Sequence, residues 1–452
     1  MRELLRGLGL WDATALVAGT VIGTGIFLKT TVMAQEAGSP GWVMAAWIAA
    51  GVLSVMGALV YAEVGARFPE AGGEYAYLRE GYGDMPAFLC GWTRFWIGSP
   101  GSIAAYAAGT AAFFQDGLWN PAGFPGGPKG FALFLVAIFS GLNCLAVTVS
   151  GRLATVLTAA KVVLILGLSL GVFFGAPTAT WFHVQAAQLG ASFPGWSAFG
   201  AATLAALWAF DGWNGMPMMA GEIREPRRNV PLGLFLGIGV VLAAYLLANA
   251  AYFYALPFKD ILGANSSDHP DAPSVGALAA MTFLGPAGRT VLSAAFAISA
   301  LGAMSATILA GARVPYAMAR DGLAPKWLGH LSSTGHVPVQ AVAVQGLVAG
   351  VLVLSGTFDQ LTDYVVFASW IFYGAVAGSV FVFRKRGKAP QGAYRAPLYP
   401  LLPLAFLALA ALLLSATLVT NPKGSGVGLL MIAAGIPAYL WFGRTARRPR
   451  SR

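Results

Sequence analysis

Charge is scarce in this sequence: only 10% of its 452 residues are Asp, Glu, Lys or Arg, against 57% that are hydrophobic. Soluble domains usually carry about a quarter charged residues, because their surfaces face water. A chain this long and this apolar cannot hide its hydrophobic residues in one core, so lipid is its expected solvent. Cysteine is rarer still, with only Cys90 and Cys144, both in apolar stretches. Two such residues exclude a disulfide framework, and small core filler is their expected role. The four histidines, His183, His269, His330 and His336, fall in loops or at the ends of apolar windows. No His-Glu-x-x-His helix, mid-window Ser–His pair or phosphate-binding glycine loop accompanies them. These absences argue against an intramembrane enzyme and against ATP-driven pumping by this chain alone. No metal or cofactor is expected. A channel is disfavoured too, since it needs a continuous polar lining.

Basic residues outnumber acidic ones, for a net charge of +10. They occupy short loops and the tail and form no stripe interleaved with aromatics, so nucleic acid is not an expected partner. The tail arginines Arg444, Arg447, Arg448, Arg450 and Arg452 directly follow an apolar window. They read as a cytosolic anchor touching anionic lipid. Met1 to Gly9 is short and basic and runs into the first apolar window, so no cleaved signal peptide is expected.

Glycine is abundant, at 58 residues, as in membrane spans whose helices approach closely. Apolar windows near spanning length number about twelve. They cover roughly 12–30, 41–66, 86–114, 131–149, 153–175, 197–221, 232–255, 285–316, 337–356, 361–383, 399–419 and 425–443. An even count puts both termini on one side. With the termini inside, inner loops and tail hold about four times as many Lys and Arg as outer loops, so both termini are expected in the cytoplasm.

Two windows carry residues that an ordinary span avoids. The first reads Gly19-Thr20-Val21-Ile22-Gly23-Thr24-Gly25-Ile26-Phe27, and the sixth reads Trp208-Ala209-Phe210-Asp211-Gly212-Trp213-Asn214-Gly215-Met216-Pro217. Backbone in lipid must be hydrogen-bonded, so a helix interrupted there survives only around an enclosed cavity. The breaks occupy equivalent places in two five-span halves, the pattern of an inverted-repeat carrier with its site at mid-membrane. A broken helix offers N–H groups to a carboxylate and C=O groups to an ammonium. An amino acid carries both on one carbon. The competing reading of Gly-x-Gly is a close-packing surface.

Three motifs in order resemble the amino acid–polyamine–organocation superfamily, and within it the L-type amino acid transporter family. They are Val21 to Phe27; Tyr61-Ala62-Glu63 with Pro69, Gly72-Gly73-Glu74-Tyr75 and Tyr77-Leu78; and Phe210 to Asn214 with Glu222, Pro226, Arg228-Asn229 and Pro231. The resemblance spans nearly the whole chain. It implies an all-α membrane protein of twelve transmembrane helices with a leucine-transporter-type 5+5 inverted repeat. The repeats would cover about 12–175 and about 197–383, two further helices about 399–443, and the tail 444–452, in one transporter domain.

For the site, the resemblance implies that N–H groups near Thr24 and Gly25 meet the substrate carboxylate, with the Thr24 hydroxyl as a further donor. Carbonyls at Val21, Trp208 and Asp211 would meet the ammonium. Trp208 sits where the family has an aromatic gate, although a packing aromatic is the alternative. Gly212 and Asn214 shape the break, and Gly23 and Ala209 complete the expected set. The implied function is sodium-independent exchange of broad neutral amino acids by alternating access in a bacterial inner membrane. The alternatives are proton-coupled transport, or carriage of cationic amino acids and cystine, to which the Trp208–Asp211 pairing is similar. Animal members bond a glycoprotein subunit through a cysteine between spans 3 and 4. None occurs from Asp116 to Gly130, so no disulfide-linked heavy subunit is expected.

Among charges in the windows, Lys161 lies deepest, about 12 Å of helix beyond Arg152. A lysine at mid-bilayer costs about 2.5–3.5 kcal/mol on insertion scales, so it is expected to face the bundle and to have partners. It matches the family's fifth-span lysine, whose ammonium takes the place of a sodium ion. It is also a candidate for binding and releasing a proton. Arg94 is expected to snorkel to the inner face. Glu63, Glu74 and Glu222, near arginine-rich loops, are expected in structural pairs. Asp211 has two readings: capping the second half of span 6, the favoured one, or attracting a cationic side chain.

Overall fold

The computed structural model describes residues 4–23, 25–117, 119–145, 147–175, 192–266, 269, 272–333, 335–355, 358–387, 393–420 and 422–446. Thr24, His183, Lys388 and the tail from Arg447 onward lie outside the described residues. The chain is helical. In order come α1 (Leu10–Val21), α2 (Gly25–Ala37), α3 (Pro40–Arg67), α4 (Glu74–Tyr82), α5 (Asp84–Thr93) and α6 (Ser99–Gly117). Next are α7 (Gly127–Asn143), α8 (Val147–Gly175), α9 (Trp196–Ala209), α10 (Gly215–Met218), α11 (Pro226–Ala255) and α12 (Phe258–Leu262). They are followed by α13 (Val275–Leu284), α14 (Ala287–Gly311), α15 (Arg313–Arg320), α16 (Val339–Ser355) and α17 (Phe358–Lys385). The chain closes with α18 (Leu401–Thr420), α19 (Pro422–Ala433) and α20 (Gly435–Ala446).

Among the described residues, seven helical stretches are individually long and apolar enough to cross a bilayer. The pair α1–α2, bent by 48°, makes an eighth if it is one span, while α7, α9, α13 and α16 are apolar but shorter. Large apolar side chains lie bare on the outer helix faces, among them Phe174 at 88% exposure and Val163 at 65%. Only a bilayer solvates such faces at acceptable free energy. This is a multi-pass membrane protein.

Small residues bring the helices together, which accounts for much of the glycine. A Cβ at Gly237 would stand 2.5 Å from Val17 Cβ, so α11 lies directly against α1. At Gly51 it would meet Leu242 at 2.6 Å, where α3 crosses α11. Without a hydrophobic drive in lipid, such close approach is what holds spans together. Two elements were not legible in the window count. The stretch after α12 contains α13, whose N-cap Ser274 accepts from the Ala277 N–H at 3.4 Å. The window 86–114 is helical throughout but widens into a π turn at Arg94–Gly98.

At the ends of α1 and α10 two otherwise separate segments meet. The Leu8 N–H donates to Glu222 O at 3.0 Å, and the Arg224 N–H donates to Leu8 O at 2.8 Å.

Candidate functional site: a cavity between two broken helices

The first break follows from Ile22, whose ψ of 90° leaves the helical region after a last bond from its N–H to Ala18 O. The carbonyls freed there turn toward α8 and α14. Lys161 Nζ donates to Gly19 O at 2.8 Å, Ile22 O at 2.6 Å and Ser299 O at 3.0 Å. Ser299 Oγ lies 3.0 Å from both Ile22 O and Gly23 O. Lys161 is 1% exposed, and its three donors are all met by main-chain carbonyls. The N–H side is different. Among the described residues, no acceptor meets the Gly23 or Gly25 N–H, as the first turn of a helix requires of some outside group.

The second break depends on Gly212. Its φ of +112° is closed to L side chains, and a Cβ there would stand 2.9 Å from Thr20 O. The two breaks therefore touch. Tyr245 Oη joins them as well, 3.2 Å from Val21 O and 2.9 Å from Ala209 O. Gly25 packs on the same junction, where a Cβ would lie 2.5 Å from Ala209 Cβ and 2.9 Å from its Cα. Trp208 O accepts the Asp211 N–H at 3.2 Å, and each of these carbonyls keeps a second lone pair.

Between the breaks lies a cavity with about 100 Å³ of free space. Of the residues expected from sequence, Val21, Gly23, Gly25, Trp208, Ala209, Asp211, Gly212 and Asn214 all line it. Lys161 does not; it stands behind the first break. Trp208 is overlaid by the Lys29 ammonium, 4.3 Å from the ring centroid. The facing wall comprises Gly98 of the π turn, Ser99, Ser102 and Tyr106 of α6, and Thr307 and Gly311 of α14.

Two expectations are corrected here. Arg94 does not snorkel. It is 9% exposed, lines the cavity from the π turn, and forms a buried ion pair with Glu74, Nε to Oε2 at 2.9 Å and Nη2 to Oε1 at 3.3 Å. A buried carboxylate reached by a planar guanidinium fork outweighs the pull of the interface. Nor does Asp211 cap the second half of span 6. The Gly215 N–H is satisfied by Gly212 O at 3.0 Å within the turn, and α10 has no side-chain cap from Asn214. Asp211 instead accepts from Tyr373 Oη at 2.8 Å.

Tyr373 Oη also lies 3.3 Å from Arg94 Nη2, so Asp211, Tyr373, Arg94 and Glu74 form one chain of contacts. Glu74 is completed by Tyr61 Oη and Asn214 Nδ2, each at 2.9 Å. The other two carboxylates are in pairs also. Glu222 binds Arg313 at 2.7 Å, both almost wholly buried, and Glu63 binds Arg384 at 2.7 Å.

Sequence reading missed Arg94, Tyr373, Ser99, Ser102, Thr307 and Tyr245. For Arg94 the sequence shows only a cation between two apolar runs, and the carboxylate that buries it lies in another segment. The remaining five are ordinary span residues.

The amino acid permease family profile matches residues 8–442. The serine/threonine exchanger SteT of Bacillus subtilis (strain 168) is 30% identical over 441 residues, covering 96% of each chain. The b(0,+)-type amino acid transporter 1 of Mus musculus is 30% identical over 454 residues, 97% of this chain and 88% of that one. The human cystine/glutamate transporter is 27% identical over 456 residues, 99% of this chain and 87% of that one. Sharing their length almost end to end and enclosing a cavity between two interrupted helices, the chain belongs to the amino acid permease family, whose members are membrane carriers and not enzymes.

Proposed function

We propose that this protein exchanges neutral amino acids across a bacterial inner membrane by alternating access, without sodium. The observation that carries the reading is the pairing of the two breaks around one cavity. N–H groups at Gly23 and Gly25 that meet no acceptor among the described residues suit a carboxylate, and carbonyls of Val21 and Trp208 with a spare lone pair suit an ammonium. Thr24, between the two glycines, is proposed to complete the carboxylate site. Exchange is supported by the relative named a serine/threonine exchanger. Sodium independence is supported by Lys161, whose ammonium holds the carbonyls of the first break where a coupling cation would otherwise be needed. The fuller architecture, twelve spans in a 5+5 inverted repeat with both termini cytoplasmic and no disulfide-linked subunit, belongs to the same proposal. The charge asymmetry of the loops supports its orientation.

A cationic substrate finds less support. Asp211 lines the cavity, but the Arg94 guanidinium shares that end of it. The test is uptake of all twenty amino acids into liposomes, with and without internal substrate, in sodium and in choline buffer. Strong stimulation by internal neutral amino acids, equal in both buffers, is expected. A sodium requirement, or uptake indifferent to internal substrate, would overturn the reading.

A further inference from the structure

The end of the cavity at Arg94 and Asp211 is built with both a spare donor and an acceptor. Arg94 is nine-tenths buried, and its Nε and Nη2 are engaged by Glu74 and Tyr373. Its Nη1 donates to no protein acceptor among the described residues, and that edge of the guanidinium faces Gly98. A Cβ at Gly98 would stand 3.6 Å from Nη1, and Gly98 itself lines the cavity, so the missing side chain leaves that edge bare. The π turn places the two together, carrying the Ser99 N–H to Arg94 O. Asp211 is the acceptor. Its carboxylate and the guanidinium both contact Tyr373 Oη, at 2.8 and 3.3 Å, and so lie no more than about 6 Å apart. Along the adjoining wall the hydroxyls of Ser99, Ser102 and Thr307 meet no hydrogen-bond partner among the described residues, and Ser99 is only 5% exposed.

We propose that Arg94 and Asp211, bridged by Tyr373, form the side-chain subsite of the cavity and select substrates whose side chain both donates and accepts hydrogen bonds, namely a hydroxyl or a carboxamide. The inference rests on the cavity being the amino acid site. Its physical basis is mutual satisfaction. A hydroxyl can accept from Arg94 Nη1 while donating to Asp211, whereas an aliphatic side chain strips water from both and replaces neither bond. A cationic side chain meets the guanidinium, and an anionic one meets two carboxylates, Asp211 and Glu74. Only the neutral donor–acceptor fits every group already there.

The experiment is counterflow of labelled serine by the full chain in liposomes, with competitors matched in shape. Serine is compared with 2-aminobutyrate, threonine with valine, and both with arginine and aspartate. The wild type is expected to prefer each hydroxyl over its isostere at least tenfold, about 1.4 kcal/mol. Gly98→Ala should cover Nη1 with a methyl group, and Arg94→Lys should keep the charge beside Glu74 while losing the fork. In both, the isostere ratio should fall toward one, with folding verified by monodisperse elution. A wild-type ratio within twofold of one, a ratio kept in both variants, or arginine or aspartate outcompeting serine each overturns the subsite. If no amino acid supports counterflow at all, the carrier reading itself fails. Exchange without preference for the hydroxyl overturns only the subsite.

Discussion

Two of the cations buried in this bundle, Lys161 and Arg94, are held in opposite ways. Lys161 meets three main-chain carbonyls, those of Gly19, Ile22 and Ser299. Arg94 meets a carboxylate, Glu74, and a hydroxyl, Tyr373. Around Lys161 the opposing charge is spread over peptide dipoles, two of them freed because the first helix breaks and the third from Ser299 of α14. Around Arg94 it is a full charge that must be balanced whether or not any helix breaks. The first cation therefore depends on the local backbone, and the second on a side chain reaching from α4. Removing each should leave different damage behind.

The largest effect on stability should come from Arg94→Leu. It strands the Glu74 carboxylate in the bundle, and breaking a buried pair from one side costs about 3–5 kcal/mol. Neutralising the orphan with Glu74→Gln in the same chain should recover most of that loss. Thermal unfolding in detergent measures both variants, and a double variant as unstable as Arg94→Leu would show that the charge balance is not what matters. Lys161→Met should cost less, about 1–3 kcal/mol, because it leaves neutral carbonyls unpaired instead of a charge. Its transport should nonetheless drop more than tenfold, since the carbonyls of the first break lose their common anchor. Stability falling further than in Arg94→Leu, or counterflow near wild-type rates, would erase the contrast. Smallest should be Tyr373→Phe, about 1 kcal/mol, since Glu74 still holds Arg94. A loss as large as that of Arg94→Leu would make the hydroxyl, not the carboxylate, the main support of the guanidinium.

The same contrast explains what could be seen in the sequence. Lys161 was legible because a lone cation deep in an apolar run has no external solvent and must find partners inside. Arg94 was not, because its depth is set by a π turn that the window 86–114 does not betray, and its partner lies in a different segment. The two breaks were legible because glycine, asparagine and aspartate at mid-span disagree with lipid. The wall facing them was not, since Ser99, Ser102 and Thr307 look like ordinary span residues until two helices bring them to one surface. The helix Val275–Leu284 was hidden in a stretch between windows, since its 10 residues are too few to read as a span. Asp211 shows the limit of local rules: its place in a turn favoured a cap, but a hydroxyl from α17, more than a hundred residues onward, took the carboxylate instead.

The short main-chain bridge between Leu8 and the segment Glu222–Arg224 has a mechanical consequence. It ties the start of α1 to the segment that follows α10, since both members donate peptide hydrogen bonds that side-chain substitutions leave in place. Under the proposed alternating access, the two half-helices are then expected to move in one stroke. A disulfide placed between positions 8 and 223 would then lock nothing that moves, and turnover should continue with the two ends fastened together.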